Sequence, residues 1–233
     1  MDRRIGLCFL AVAFLILVGA VHTASHAAGH STNSKMNGAA HNHELLDAQY
    51  DEAVDFVRQK KYDEAYASFL ALSKHGQHDA QYNLATLLKA GLGHPQDFQQ
   101  ALYWAWLSQL GDVKKAPALA EDLIGLMPEN ALDAIRDKVV AHLTKRVDDG
   151  DHPAIMQRGD FFLEVTAEAD YEQAYIWYAI GAAMRLDNAF QARNAAAEEL
   201  DPEVLVDLQE EAAQIFQELK ARENAAEMEA RQS

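Results

Sequence analysis

Bases and cysteine are scarce in this chain, and each scarcity excludes a class of function. Against 36 Asp and Glu residues stand 20 Lys and Arg, a formal net charge of -16 over 233 residues. An acidic surface repels a phosphate backbone, so nucleic acid is excluded as a partner. One cysteine, Cys8, cannot build a disulfide framework or a multi-cysteine zinc site. Five prolines and twelve glycines are too few for a collagen-like or low-complexity chain. Strictly alternating strand patterns are missing, as is any long apolar run after the first thirty residues. What is present is a 49% share of hydrophobic residues, enough for one or two packed domains.

The only long apolar run is Ile5 to Val21, preceded by Met1-Asp2-Arg3-Arg4 and followed by small residues at Ser25 and Ala27. A basic start, an apolar stretch and a small-x-small exit are the pattern of a secretory signal over residues 1–27, cleaved after Ala27, with an uncleaved membrane anchor as the alternative. The expected mature chain is periplasmic or secreted, has no membrane span and contains no thiol. It carries 35 acids against 18 bases, because Asp2, Arg3 and Arg4 leave with the signal.

Residues 28–46 read as a flexible linker rich in Gly, Ser, Asn and Ala. His26, His30, Met36, His41 and His43 lie in or beside it. Imidazole and thioether groups suit copper or zinc, and His41-x-His43 can chelate from an extended chain. The fold itself needs no cofactor, and weak copper or zinc capture by this arm is the alternative function. His43-Glu44-Leu45-Leu46-Asp47 lacks the second histidine of a zinc-protease helix.

From Leu45 to about Arg222 apolar residues recur at three and four, and alanine is abundant. Pro95, Pro117, Pro128, Pro153 and Pro202 fall where helices begin or loops turn, and Asp201-Pro202-Glu203 is the clearest helix start. The pattern predicts about nine helices of ~10–18 residues joined by short loops. It also repeats. Tyr62-Asp63-Glu64-Ala65-Tyr66 is echoed by Phe98-Gln99-Gln100-Ala101-Leu102-x-Trp104 and by Tyr171-Glu172-Gln173-Ala174-Tyr175-x-Trp177. Positions 62, 98 and 171 are 36 and 73 residues apart, so a 73-residue unit occurs twice after a partial one. One helical hairpin cannot bury its apolar face alone, so neighbouring hairpins stack. Ala101 and Ala174 are small where helices approach closely, and Trp104, Trp177 and Tyr178 cover the stacked surface.

One stretch carries a family resemblance. Ala80-Gln81-Tyr82-Asn83-Leu84-Ala85, the loop Gly91-x-Gly93-x-Pro95-x-Asp97 with Phe98, then Ala101-Leu102-Tyr103-Trp104 and Gly111-Asp112 resemble a Sel1-like repeat, a longer cousin of tetratricopeptide repeats. Residues 154–189 are a weaker copy. Their loop, Glu164 to Asp170, has lost both glycines and the proline, and no glycine follows the helix near Met184-Arg185-Leu186. The resemblance implies an all-α, right-handed α-solenoid of stacked helical hairpins. Its expected parts are a partial repeat over 47–79, a first module over 80–152, a second over 153–222 and a charged tail over 223–233. It further implies a non-enzymatic adaptor in the cell envelope that binds a protein or peptide. The groove residues it nominates are Gln81, Asn83, Thr86, Lys89, Gln157, Arg158 and Phe161.

No nucleophile elbow, phosphate loop or dinucleotide fingerprint is present. His75, His78 and Asp79 could share a metal only if Gly76 did not break the helix between them. Arg158-Gly159-Asp160 spells an integrin-type tripeptide inside a helical pattern, a chance occurrence. Asp148-Asp149 and Glu210-Glu211 are adjacent, so on helices they point apart. Eleven acids against three bases from Ala195 onward read as solvated helix faces.

Overall fold

The computed structural model describes residues 45–232. These form ten helices and no strand: α1 (45–58), α2 (Tyr62–Lys74), α3 (His78–Ala90), α4 (Phe98–Gln109), α5 (Ala116–Ile124), α6 (Glu129–Asp148), α7 (Pro153–Glu164), α8 (Tyr171–Ala183), α9 (Ala189–Glu198) and α10 (Pro202–Gln232). The helix starts follow from local chemistry. The Asp97 carboxylate accepts from the Gln100 N–H at 3.0 Å, and Asp170 accepts from Gln173 N–H at 3.0 Å. Pro117 and Pro153 occupy first turns of α5 and α7, where a missing N–H costs nothing.

The repeat keeps one register from its second helix onward, while α3 and α7 start 75 residues apart. Helix starts at Phe98 and Tyr171, at Ala116 and Ala189, and at Glu129 and Pro202 are each 73 residues apart. Thus α3–α6 form one four-helix module and α7–α10 its copy, preceded by the hairpin α1–α2. Packing repeats too: α4 touches α3, α5 and α6, as α8 touches α7, α9 and α10. Modules join where α6 meets α7. The result is a solenoid of helical hairpins. Ala101 and Ala174 are fully buried, and Trp104, Trp177 and Tyr178 are buried beside them, as their spacing implies.

Loop chemistry explains how one unit keeps its glycines while the other has lost them. Gly93 adopts φ 73°, and a Cβ there would lie 2.0 Å from the Tyr62 carbonyl oxygen at the start of α2. Only glycine allows that approach. In the second copy the loop leaves α7 through Val165 without a left-handed residue, and the Arg136 Nε–H donates to the Val165 carbonyl at 3.0 Å. A side chain from the preceding module supplies the helix ending. After α4 and α8, Asp112 (φ 63°) and Arg185 (φ 61°) hold the same left-handed position without a glycine.

Two expectations need correction. There are ten helices among the described residues, and α6 and α10 run to 20 and 31 residues. Residues 223–232 are no separate tail, because α10 continues through them. Contacts back to the module junction hold α10 just before this stretch and at its first residue. Glu223 meets His152 at 2.8 Å, Arg222 pairs with Asp148, and Leu219 joins the apolar cluster of Val147 and Ile155.

Candidate functional site

Of the residues nominated for a groove three are buried, Asn83, Lys89 and Arg158 are half-buried, and Thr86 alone is exposed. Gln81 is 1% exposed, Gln157 8% and Phe161 3%. Gln81 and Phe161 are packing residues, which corrects their assignment as partner contacts, whereas Gln157 is buried but reaches the edge of a hollow. Phe161 belongs to the apolar cluster of Leu132, Ile135 and Leu143. The Arg158 guanidinium lies 4.0 Å from the Trp177 ring centroid and donates to Thr144 Oγ1 at 2.8 Å. Cation–π stacking and burial hold it on α6 and α8, away from a partner. Asn83 donates to the Tyr50 hydroxyl at 2.9 Å, Thr86 donates to its own helix at Tyr82, and Lys89 pairs with Asp122 at 2.9 Å. His26, His30, Met36, His41 and His43 lie outside the described residues.

The two glutamines meet at a residue not assigned to the groove, His78. Gln81 Nε2 donates to the Ser73 carbonyl at 3.2 Å, leaving its oxygen, 2.9 Å away, for His78 Nδ1. Gln157 Oε1 accepts from Arg146 at 2.5 Å, leaving its NH₂ for His78 Nε2 at 3.3 Å. Both amides are oriented by their other partners, so the imidazole donates from Nδ1 and accepts at Nε2. A part-buried hydrogen-bonded chain thereby ties α2, α3, α6 and α7 together. Gly111 makes room for it, because a Cβ there would sit 2.0 Å from the His78 ring. Ser108 Oγ donates to the His78 carbonyl at 2.9 Å.

Two hollows adjoin at His78, Gly111 and Asp112. One, of about 630 Å³, is edged by Tyr50, Asp79, Asn83, Lys114 and Lys115. The other, of about 580 Å³, is edged by Gln157, Asp160, Glu164, Asp187, Met156 and Leu186. Thr86 and Lys89 border neither.

Asp160 is the most perturbed carboxyl. Burial raises it to about 6, assisted by Glu164 and Asp112 and opposed by the Tyr178 hydroxyl, which donates to Asp160 Oδ1 at 2.6 Å. Burial and the Asp160 charge push the Tyr178 phenol upward. Gly159 permits this pairing, since a Cβ would come within 2.4 Å of the Tyr178 ring. The Arg-Gly-Asp tripeptide therefore has a packing explanation: all three residues serve the seam of α7 with α8. Acid–base catalysis would require two carboxylates free to converge on a substrate. Here Tyr178 occupies an oxygen of Asp160, and Gln109 donates to Glu164 Oε2 at 3.0 Å. Among the described residues no group of three His, Cys, Asp or Glu side chains could hold a metal, and no helix is long and apolar enough to cross a membrane.

Stacked hairpins, the glycine-dependent loop and the buried seams between helices define the class: an all-α repeat protein, a solenoid of helical hairpins. Among solved structures the chain is similar to a protective antigen of uropathogenic Escherichia coli strains displaying an SLR fold. That match has 20% identity and a TM-score of 0.37, covering 79% of this chain and 32% of the antigen. The chain thus spans about a third of that protein's length. No family model and no curated protein matches the chain.

Proposed function

We propose that this chain is an exported, non-enzymatic repeat scaffold that binds a protein or peptide segment as an adaptor in the cell envelope. The observation that carries the reading is the pair of adjoining hollows on the face of α3 and α7. Lys114 and Lys115 edge one end beside Asp79 and Asp112, the other end carries Asp160, Glu164 and Asp187 with no lysine or arginine, and Met156 and Leu186 supply apolar contact. Such a polarised trough suits an extended segment of mixed charge, with its basic part over Asp160, Glu164 and Asp187. The signal pattern of residues 1–27 supports export.

The test is affinity purification from envelope extracts with the mature chain and with Asp187→Lys or Lys114→Glu variants, followed by titration of the recovered partner. Both variants keep the fold because both side chains are exposed. Weakening of at least about tenfold by either variant is expected for a contact at a charged rim. A partner held equally by all three proteins refutes this face as the binding surface.

A further inference from the structure

The 73-residue register gives positions of the first module counterparts in the second, and on one face the two sets diverge in chemistry. Between α4 and α6 of the first module lies a groove of about 680 Å³. Its floor is aromatic. Tyr103 and Trp104 meet edge to face with centroids 4.9 Å apart, and His142 meets Tyr103 edge-on at 6.2 Å. Lys138 and Lys145 border the groove from α6, and Gln99 and Gln100 from α4.

Residues that build the helices are the same in both copies: Asp97 and Asp170, Gln100 and Gln173, Trp104 and Trp177 are pairs 73 positions apart. The rest of the lining is not. Lys138 and Lys145 are matched by Glu211 and Glu218, and Tyr103 and His142 by Ile176 and Ile215. In the second module those isoleucines serve the core, Ile176 being fully buried and Ile215 packed against the same apolar cluster. In the first, Tyr103 and His142 are only half-buried, and Ala141 beside them is exposed. Burial holds the Tyr103 phenol above its usual range and, with Arg146 and Lys145, the His142 imidazole below its own, so both rings are uncharged at neutral pH. Isoleucine suffices to pack this position, so packing alone does not account for the rings.

The groove is also a cationic place on an acidic chain. Lys138 makes no ion pair among the described residues. Lys145 meets Asp149 at 2.5 Å, but both side chains are exposed, and such a pair exchanges readily for another carboxylate. The one acid in the lining, Asp97, has both oxygens engaged by Gln100. Lys138 and Lys145 lie two turns apart on α6, about 10 Å along its axis. An extended peptide sets residues three positions apart at about 9–10 Å. We infer that the α4–α6 groove binds an extended acidic segment of a partner protein, with two carboxylates on Lys138 and Lys145 and an aromatic side chain between them on Tyr103, Trp104 and His142. The exposed Gln99 carboxamide offers a donor and an acceptor to the segment's backbone. Residues 28–44 of this chain hold Glu44 as their only acid, so they have no pair of carboxylates to offer. The groove shares no lining residue with the hollows of the α3–α7 face, and either site can exist without the other.

The probe is a short fluorescent peptide with two glutamates three positions apart and a phenylalanine between them, titrated against the mature chain, residues 28–233. Saturable binding is expected. It should weaken at least about tenfold in a Lys138→Glu/Lys145→Glu chain, which gives the groove the second module's charges at exposed positions. Replacing the peptide's phenylalanine by alanine should also weaken binding at least about tenfold, as expected for a ring taken out of water. An Asp187→Lys chain should bind the peptide normally, which separates this site from the α3–α7 face. No saturable binding, or equal binding to the wild-type and doubly substituted chains, overturns the inference. Indifference to the phenylalanine overturns it too, because the lysines would then act as diffuse charge without the aromatic floor. So does sedimentation showing a wild-type dimer that the double substitution dissolves, since a second copy would then supply the carboxylates.

Discussion

Asp160→Asn should make the protein more stable at neutral pH, although it alters a buried hydrogen-bonded residue. Burial lifts the Asp160 carboxyl from 3.8 to about 6 in the folded state, against an ordinary value when unfolded. The folded value is the higher one, so folding favours the protonated form. The native state then meets no penalty below about pH 4, and loses stability as pH rises through 6. Two units at about 1.4 kcal/mol each amount to about 3 kcal/mol above pH 7. Asparagine abolishes the ionisation and keeps an oxygen for the Tyr178 hydroxyl. Its NH₂ needs a partner at the hollow, which costs up to about 1 kcal/mol, leaving a gain of about 2. For a chain of this size that raises Tm by about 4–8 °C. His142 slopes oppositely: burial, Arg146 and Lys145 lower its pKa, so it loses stability as pH falls. Comparing wild type with variant cancels that contribution. Urea unfolding from pH 4 to 8 should show the variant up to about 1 kcal/mol less stable at the acid end and about 2 kcal/mol more stable by pH 7.5. A destabilised variant at pH 7.5, or a difference flat across pH, would refute burial of a charged Asp160 as the dominant effect.

Gly93→Ala forces a side chain onto a residue at φ 73° and places its Cβ 2.0 Å from the Tyr62 oxygen. The contact is with backbone, so α2 or the loop must shift, and thermal unfolding should register a loss of about 3 kcal/mol. Arg136→Lys should cost about 1–2 kcal/mol in chemical denaturation, because lysine cannot cap Val165 at 3.0 Å and also lie over the Trp106 ring at 5.8 Å. An Arg136→Lys protein as stable as wild type would mean that the second-copy loop ends its helix without that cap.

The hairpins and their register were legible because burial imposes a period, and the loops were legible where a backbone conformation demands one residue type. The unit 62–98–171 and the pair Gly91 and Gly93 carried that information directly. Side-chain roles were less legible. Gln81, Gln157 and Phe161 occupy positions that can line a groove, yet a rotation of one residue about the helix axis turns such a position inward. His78 escaped assignment for the same reason: its part depends on two glutamines 3 and 79 positions away, and on Gly111 leaving space for its ring. Gly111 could be noticed in the sequence as a post-helix glycine. Its φ is not positive, and the left-handed residue is Asp112. The glycine answers to a neighbour's volume, which no local pattern encodes.

A repeat converts such losses into information, because each position has a twin under different surroundings. The left-handed turn survives at Arg185 with no glycine beside it, so the turn belongs to the module and Gly111 to the junction with His78. Trp106 and Ala179 form another pair. The tryptophan lies beneath the packed end of α7, beside Arg136 at 5.8 Å, whereas the alanine lines a trough between α8, α9 and α10 with Gln209 in the place of that arginine. The module end thus differs from the module junction in burial as well as in side-chain size, with Trp106 buried and Ala179 half-buried.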